Sequence, residues 1–161
     1  MTRANYLYML VLVLFLSACM PPRPQRMYSG PQLELVKEST ITTKGPTGNP
    51  MPGLRISSVD NEKTINFFQR WFTGPATEVT VTPGKHDIGL LFNTGASLRR
   101  ENLWLVACPG KIYFAKARYL DENDFQMWIE DEDGNRVGGV KGSADEPKSE
   151  NVSCDPGQSK K

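Results

Sequence analysis

The chain has 161 residues, with 19 Lys and Arg against 18 Asp and Glu, one His and three Cys. That length suits one domain able to bury a core, and 39% apolar with 23% charged residues is ordinary globular composition. A net charge of +1 gives no electrostatic case for nucleic acid, which needs a concentrated positive field. A single histidine excludes a His-rich metal centre and leaves little for acid–base chemistry near neutral pH.

Residues 1–5 form a short head with one positive charge, Arg3, and Tyr6 to Leu16 is an unbroken apolar run. As a helix that run spans only about 16 Å, too short for a hydrocarbon core of about 30 Å. It has the make-up of the apolar region of a secretory signal. Leu16-Ser17-Ala18-Cys19 closes it: a large apolar residue, two small ones and a cysteine. This resembles the lipobox of bacterial lipoproteins. The resemblance implies acylation of the Cys19 thiol, cleavage after Ala18 and acylation of the new amine, and two or three acyl chains anchor stably. Met20 after the cysteine, where an Asp would favour retention at the inner membrane, points to the outer membrane and its periplasmic face. Removing residues 1–18 takes away Arg3 and no acid. The remaining chain is charge-balanced, and its predicted membrane contact is the lipid itself.

Residues 19–32 are expected to form the lipidated cysteine and a tether. Pro21-Pro22-Arg23-Pro24-Gln25-Arg26 should be extended and without secondary structure. From Leu33 to Val140 the chain reads as short strands between Gly/Pro turns. Strands are predicted at Leu33–Thr42, Leu54–Val59, Thr77–Thr82, His86–Asn93, Asn102–Cys108, Lys111–Leu120, Phe125–Ile129 and Arg136–Val140. Pro83-Gly84 and Pro109-Gly110 read as the turns of two hairpins, and Asp133-Gly134-Asn135 as a further turn. Thr64–Phe72 fits a helix or a strand, because Ile65, Phe68 and Phe72 share a helical face amid β-forming residues. Residues 141–161 read as a polar, poorly ordered tail. The predicted architecture is all-β: a small antiparallel sandwich or partly open barrel of about seven strands.

Several segments together resemble a family of small bacterial envelope lipoproteins of unknown function. They are Tyr28-Ser29-Gly30-Pro31-Gln32-Leu33, Ile56-Ser57-Ser58-Val59-Asp60-Asn61, Pro83-Gly84-Lys85-His86, Pro109-Gly110-Lys111-Ile112-Tyr113, Trp128 and Asp131-Glu132-Asp133-Gly134. The Pro-Gly-x-His segment also resembles small β-sandwich modules of the PEGA type. The family implies an address and a fold but no activity. Asn61 stands where the family pattern has Gly.

Candidate chemistry is sparse. His86 is the only histidine, and Asp87 beside it points to the opposite strand face, so a structural role is expected and no catalytic set is assigned. In Glu130-Asp131-Glu132-Asp133-Gly134-Asn135, alignment of Gly134 on a calcium loop puts Ile129 at the first ligand position and Val140 at the twelfth. The run therefore reads as a solvated turn, and no metal or cofactor is expected. Trp71, Trp104, Trp128, Tyr113 and Tyr119 fit a β core. Phe67, Phe68, Trp71 and Phe72 are the exception, a candidate patch for an envelope protein partner. With Cys19 lipidated, Cys108 and Cys154 are the remaining thiols, and export would place them where disulfides persist. The expected function is a non-enzymatic binding or accessory role at the envelope. An envelope hydrolase, or an inhibitor or immunity protein for an envelope-acting enzyme, is the alternative.

Overall fold

The computed structural model describes residues 24–29, 37–45, 48–64, 76–120, 125–147 and 154. The signal segment, Cys19, Phe67, Phe68, Trp71, Phe72 and the ambiguous stretch after Thr64 lie outside the described residues. The described elements are all strands: β1 (Gln25–Arg26), β2 (Ser39–Thr42), β3 (Leu54–Val59), β4 (Glu62–Lys63), β5 (Glu78–Val81), β6 (Gly84–Asn93), β7 (Leu98–Ala107), β8 (Ile112–Tyr119), β9 (Phe125–Glu130) and β10 (Arg136–Val140). They make one mixed sheet in the order β1-β5-β2-β8-β9-β10-β7-β6-β3-β4, curled into a half-barrel.

The chain itself shows how far the sheet curls. β5 and β6 stand near opposite ends of the strand order, yet only Thr82 and Pro83 separate them in sequence. Three residue steps reach about 11 Å at most, so the two halves of the sheet must face each other closely. An isolated bridge between Ile56 of β3 and Ala76, just before β5, crosses the same gap, with the Ile56 N–H donating to the Ala76 carbonyl at 2.8 Å.

One face of the sheet carries the core. Alternation places Ile88, Leu90 and Phe92 of β6, Leu103, Leu105 and Ala107 of β7, Tyr113, Ala115 and Ala117 of β8, and Met127 and Ile129 of β9 in one buried cluster. β3 breaks strict alternation because its register with β6 shifts between Ile56 and Ser58. The extra residue lets Ile56 and Val59, three apart, both point inward. Gly89 sits opposite that bulge, and a Cβ there would come within 2.2 Å of Ser58 Oγ, which would have to shift.

The all-β class and the barrel-like curvature agree with the sequence reading, while several details differ. The sheet has ten strands because two-residue strands, β1 and β4, add to those foreseen. β1 lies in the segment predicted as a bare tether. Extended backbone after Pro24 pairs in parallel with β5, and Tyr28 donates a hydrogen bond to the buried Glu38. A second pair, β2 with β8, is also parallel, so the sheet is not wholly antiparallel.

The Pro109-Gly110 hairpin is corrected. A turn does form, with the Lys111 N–H donating to the Cys108 carbonyl at 3.2 Å, but β7 and β8 do not pair because β9 and β10 lie between them. The Pro83-Gly84 hairpin is corrected as well: Pro83 is a bend, Gly84 already opens β6, and β5 and β6 do not pair, so the segment works as a corner. Residues 141–147, expected to be poorly ordered, are held against the sheet. The Lys141 N–H donates to Asn102 O at 2.8 Å, Lys141 pairs with Asp87, and Lys85 Nζ sits 2.6 Å from Glu146 Oε1.

Candidate functional site

Three places on the described surface or core carry functional-group chemistry. The first surrounds His86 on β6, whose ring is buried. Its Nδ1 lies 2.7 Å from Asp60 Oδ2, and its Nε2 lies 2.7 Å from the Thr82 carbonyl oxygen. Both ring nitrogens therefore already face an oxygen at hydrogen-bonding distance. Neither nitrogen faces a hydroxyl or thiol that it could activate. The acid that meets His86 is Asp60, 26 residues away, and not the adjacent Asp87, as the strand geometry foretold. Asp60 and Asn61 form the two-residue turn between β3 and β4 with φ of 50° and 67°. Asn and Asp tolerate this left-handed conformation, so the turn forms without a glycine. The second Asp60 oxygen accepts the Asp87 N–H at 2.8 Å, which extends the β3–β6 ladder past its end.

The second place is the acidic turn between β9 and β10. Asp131 Oδ1 accepts the N–H groups of Asp133 at 3.0 Å and Asn135 at 2.8 Å, and Oδ2 accepts Asn135 Nδ2 at 3.1 Å. Burial alone would raise the Asp131 carboxyl, but the hydrogen bonds from Asn135, Asp133 and Gly134 together hold it below the usual carboxylate range. The carboxylate is spent on its own turn. Among the described residues no group of three His, Cys, Asp or Glu is placed to hold a metal ion.

The third place was missed by the sequence reading, which put its tryptophans in the core. The β10–β9 ladder ends at Gly138 opposite Ile129, whereas β10 stays with β7 through Gly139–Trp104 and Val140–Leu103. β9 continues back to Phe125 on β8 alone. Where the two strands part, a cleft of about 440 Å³ opens. Trp104 of β7 and Trp128 of β9, both half-buried, line it from the strands flanking Gly139. A Cβ on Gly139 would lie 3.3 Å from Trp104 Nε1, so the indole settles directly against the glycine backbone. Trp104 Nε1–H donates to Ser143 Oγ at 3.2 Å, and Trp128 Nε1–H donates to Glu130 Oε1 at 2.7 Å. The Arg136 guanidinium lies 4.5 Å from the Trp128 ring centre and donates to Gln126 Oε1 at 3.1 Å. Strand alternation was the usable signal: Trp104 sits between Leu103 and Leu105, and Trp128 between Met127 and Ile129, so both indoles must face away from the core. Of the other aromatics, Tyr113 is in the core, while Tyr119 is 51% exposed.

Cys108 and Cys154 meet as expected. The structure joins them in a disulfide with a Cα–Cα separation of 5.5 Å, well inside the range such a bond permits. Tyr113, whose hydroxyl accepts the Cys108 N–H at 2.8 Å, braces the same turn. Burial pushes the Tyr113 hydroxyl above its ordinary range, against the opposing effect of that hydrogen bond. Among the described residues no helix is long and apolar enough to cross a membrane. No family model matches the chain, and no curated protein and no solved structure matches it.

Proposed function

We propose that this chain is a lipid-anchored protein of the bacterial outer membrane, facing the periplasm, and that it acts by binding and not by catalysis. The observation that carries the reading is Leu16-Ser17-Ala18-Cys19 placed directly at the end of an apolar run too short to span a bilayer. The Cys108–Cys154 disulfide supports export, because such bonds persist in oxidising compartments. The binding reading is supported by His86, whose two ring nitrogens are both taken up by Asp60 and the Thr82 carbonyl, and by the tryptophan cleft, a concave site of the kind that holds small ligands.

Fractionation of a bacterium expressing the chain tests the anchor. The wild type should sediment with the outer membrane, Cys19→Ala should leave the acylated fraction, and globomycin should accumulate the uncleaved precursor. A Cys19→Ala protein that still partitions with the wild type would overturn the anchor. The alternative, an envelope hydrolase, needs His86: a turnover measurable in the wild type and abolished in His86→Ala, with the fold retained, would replace the binding reading.

A further inference from the structure

The geometry points to the cleft between β9 and β10 as a saccharide site that takes a pyranose ring against Trp104 and Trp128. This inference rests on the binding reading above and names its ligand class. Three features select that class.

The first is the platform. Two indoles stand on strands β7 and β9 and line the cleft, with Trp104 lying against the backbone of Gly139 between them. Flat aromatic faces suit the C–H face of a sugar ring, whose axial hydrogens carry partial positive charge toward the π cloud. The second is the polar rim, which offers both kinds of hydrogen-bonding group. Glu101 and Asp145 supply carboxylates that make no hydrogen bond or ion pair within the described residues. The Gln126 amide N–H groups, the unused Arg136 N–H groups and the Ser143 hydroxyl supply donors. A cation would want acceptors alone and an anion donors alone. A polyhydroxylated ring, each hydroxyl of which donates and accepts, uses both. The third is size: about 440 Å³ accommodates one or two sugar rings and falls within the range of small-molecule clefts.

The indole N–H groups are already turned away to Ser143 and Glu130. The rings therefore contribute aromatic surface to the cleft, with the Arg136 guanidinium over Trp128, and the rim does the polar recognition. In an envelope setting the same chemistry could come from the N-acetylated glycan of a cell wall or from a neutral polysaccharide, and the probes below separate the two.

The full mature protein, solubilised in a detergent without a sugar headgroup, is titrated calorimetrically with chitotetraose and with cellotetraose, and its retention on purified peptidoglycan is measured in parallel. Saturable binding of either oligosaccharide is expected. Preference for chitotetraose with retention on peptidoglycan assigns the cell-wall source, and preference for cellotetraose assigns the neutral one. Trp104→Ala and Trp128→Ala should each weaken binding by about tenfold. Because Trp104 is half-buried and its variant could misfold, Asp145→Ala and Glu101→Gln are measured beside it. These rim changes should weaken binding several-fold with an unchanged circular dichroism spectrum and melting temperature. Absence of binding to both oligosaccharides and to peptidoglycan overturns the inference. So does binding that survives all four substitutions. Anchoring by Cys19 is read separately by fractionation, so either proposal can fail while the other stands.

Discussion

Breaking the Cys108–Cys154 bond should produce the largest stability change available from a single surface-accessible substitution. Cys108 immediately follows β7 and Cys154 lies beyond β10, so the bond closes a loop that holds β8, β9 and β10. These three strands run through the middle of the sheet. A sequence separation of 46 corresponds in the chain-entropy treatment to about 4 kcal/mol of lost unfolded-state freedom. The ion pairs on the 141–147 segment, Lys85–Glu146 and Lys141–Asp87, lie at or near the surface and contribute far less. Cys154→Ser, or the double variant Cys108→Ala/Cys154→Ala, should therefore lower the melting temperature by roughly 10 °C or more. Reductant should do the same to the wild type and nothing further to the double variant. The assay is thermal unfolding by circular dichroism on non-reduced and reduced protein, with thiol alkylation and intact mass as the control. Two alkylatable thiols in the unreduced mature protein, or a melting temperature unchanged by the double variant, would refute the reasoning.

Other consequences follow from particular contacts. Tyr113 has its hydroxyl pushed up chiefly by burial, so the folded state favours the neutral phenol. Its contribution is intact below the ordinary tyrosine value of about 10 and is lost as pH rises beyond it. Tyr113→Phe should flatten the alkaline fall in melting temperature while costing about 1 kcal/mol near neutrality, through loss of the acceptor for the Cys108 N–H. Asp131, held below the usual carboxylate range, gives the opposite sign: its stabilisation is present at neutral pH and disappears as pH falls through the carboxylate range. Urea midpoints measured from pH 6 to pH 2.5 should show a shallower acid limb in Asp131→Ala than in the wild type. Gly89→Ala drives a Cβ to 2.2 Å from Ser58 Oγ and 3.0 Å from Ser57 Oγ and should cost about 1–3 kcal/mol. Part of that loss should return in Gly89→Ala/Ser58→Ala; an additive double variant would show that the bulge is not the cause.

How much of this was legible in the sequence depends on whether the signal is local. Period-two alternation in Ile88, Leu90 and Phe92, and again in Met127 and Ile129, is a local property of the chain, and those residues lie in the core. Turn chemistry is equally local, and a turn forms at Pro109-Gly110. Which strands pair across a turn is not local. β7 and β8 diverge because β9 and β10 take the places beside them, and nothing in Cys108–Lys111 encodes that choice. Parallel pairing of β2 with β8 joins segments about 70 residues apart and is invisible to any window. The cysteine pair was found by elimination of Cys19, a count that needs no geometry. The tryptophan cleft was missed although alternation places Trp104 and Trp128 on the outer face. Their hydrophobicity suggested core, and the parting of β9 from β10 that gives them a cavity exists only in three dimensions. Asp60 as the partner of His86 is a similar case, set by the β3–β6 register and the β3–β4 turn.

The central claim is the lipid anchor, and the intact mass of the protein extracted from membranes tests it most directly. The account predicts a chain beginning at Cys19, with residues 1–18 removed and the mass of a diacylglyceryl group and a further acyl chain added at that residue. Alkaline hydrolysis should then release the ester-linked fatty acids and leave the amide-linked one. A chain that retains Met1, or one that begins at Cys19 without added lipid mass, would contradict it.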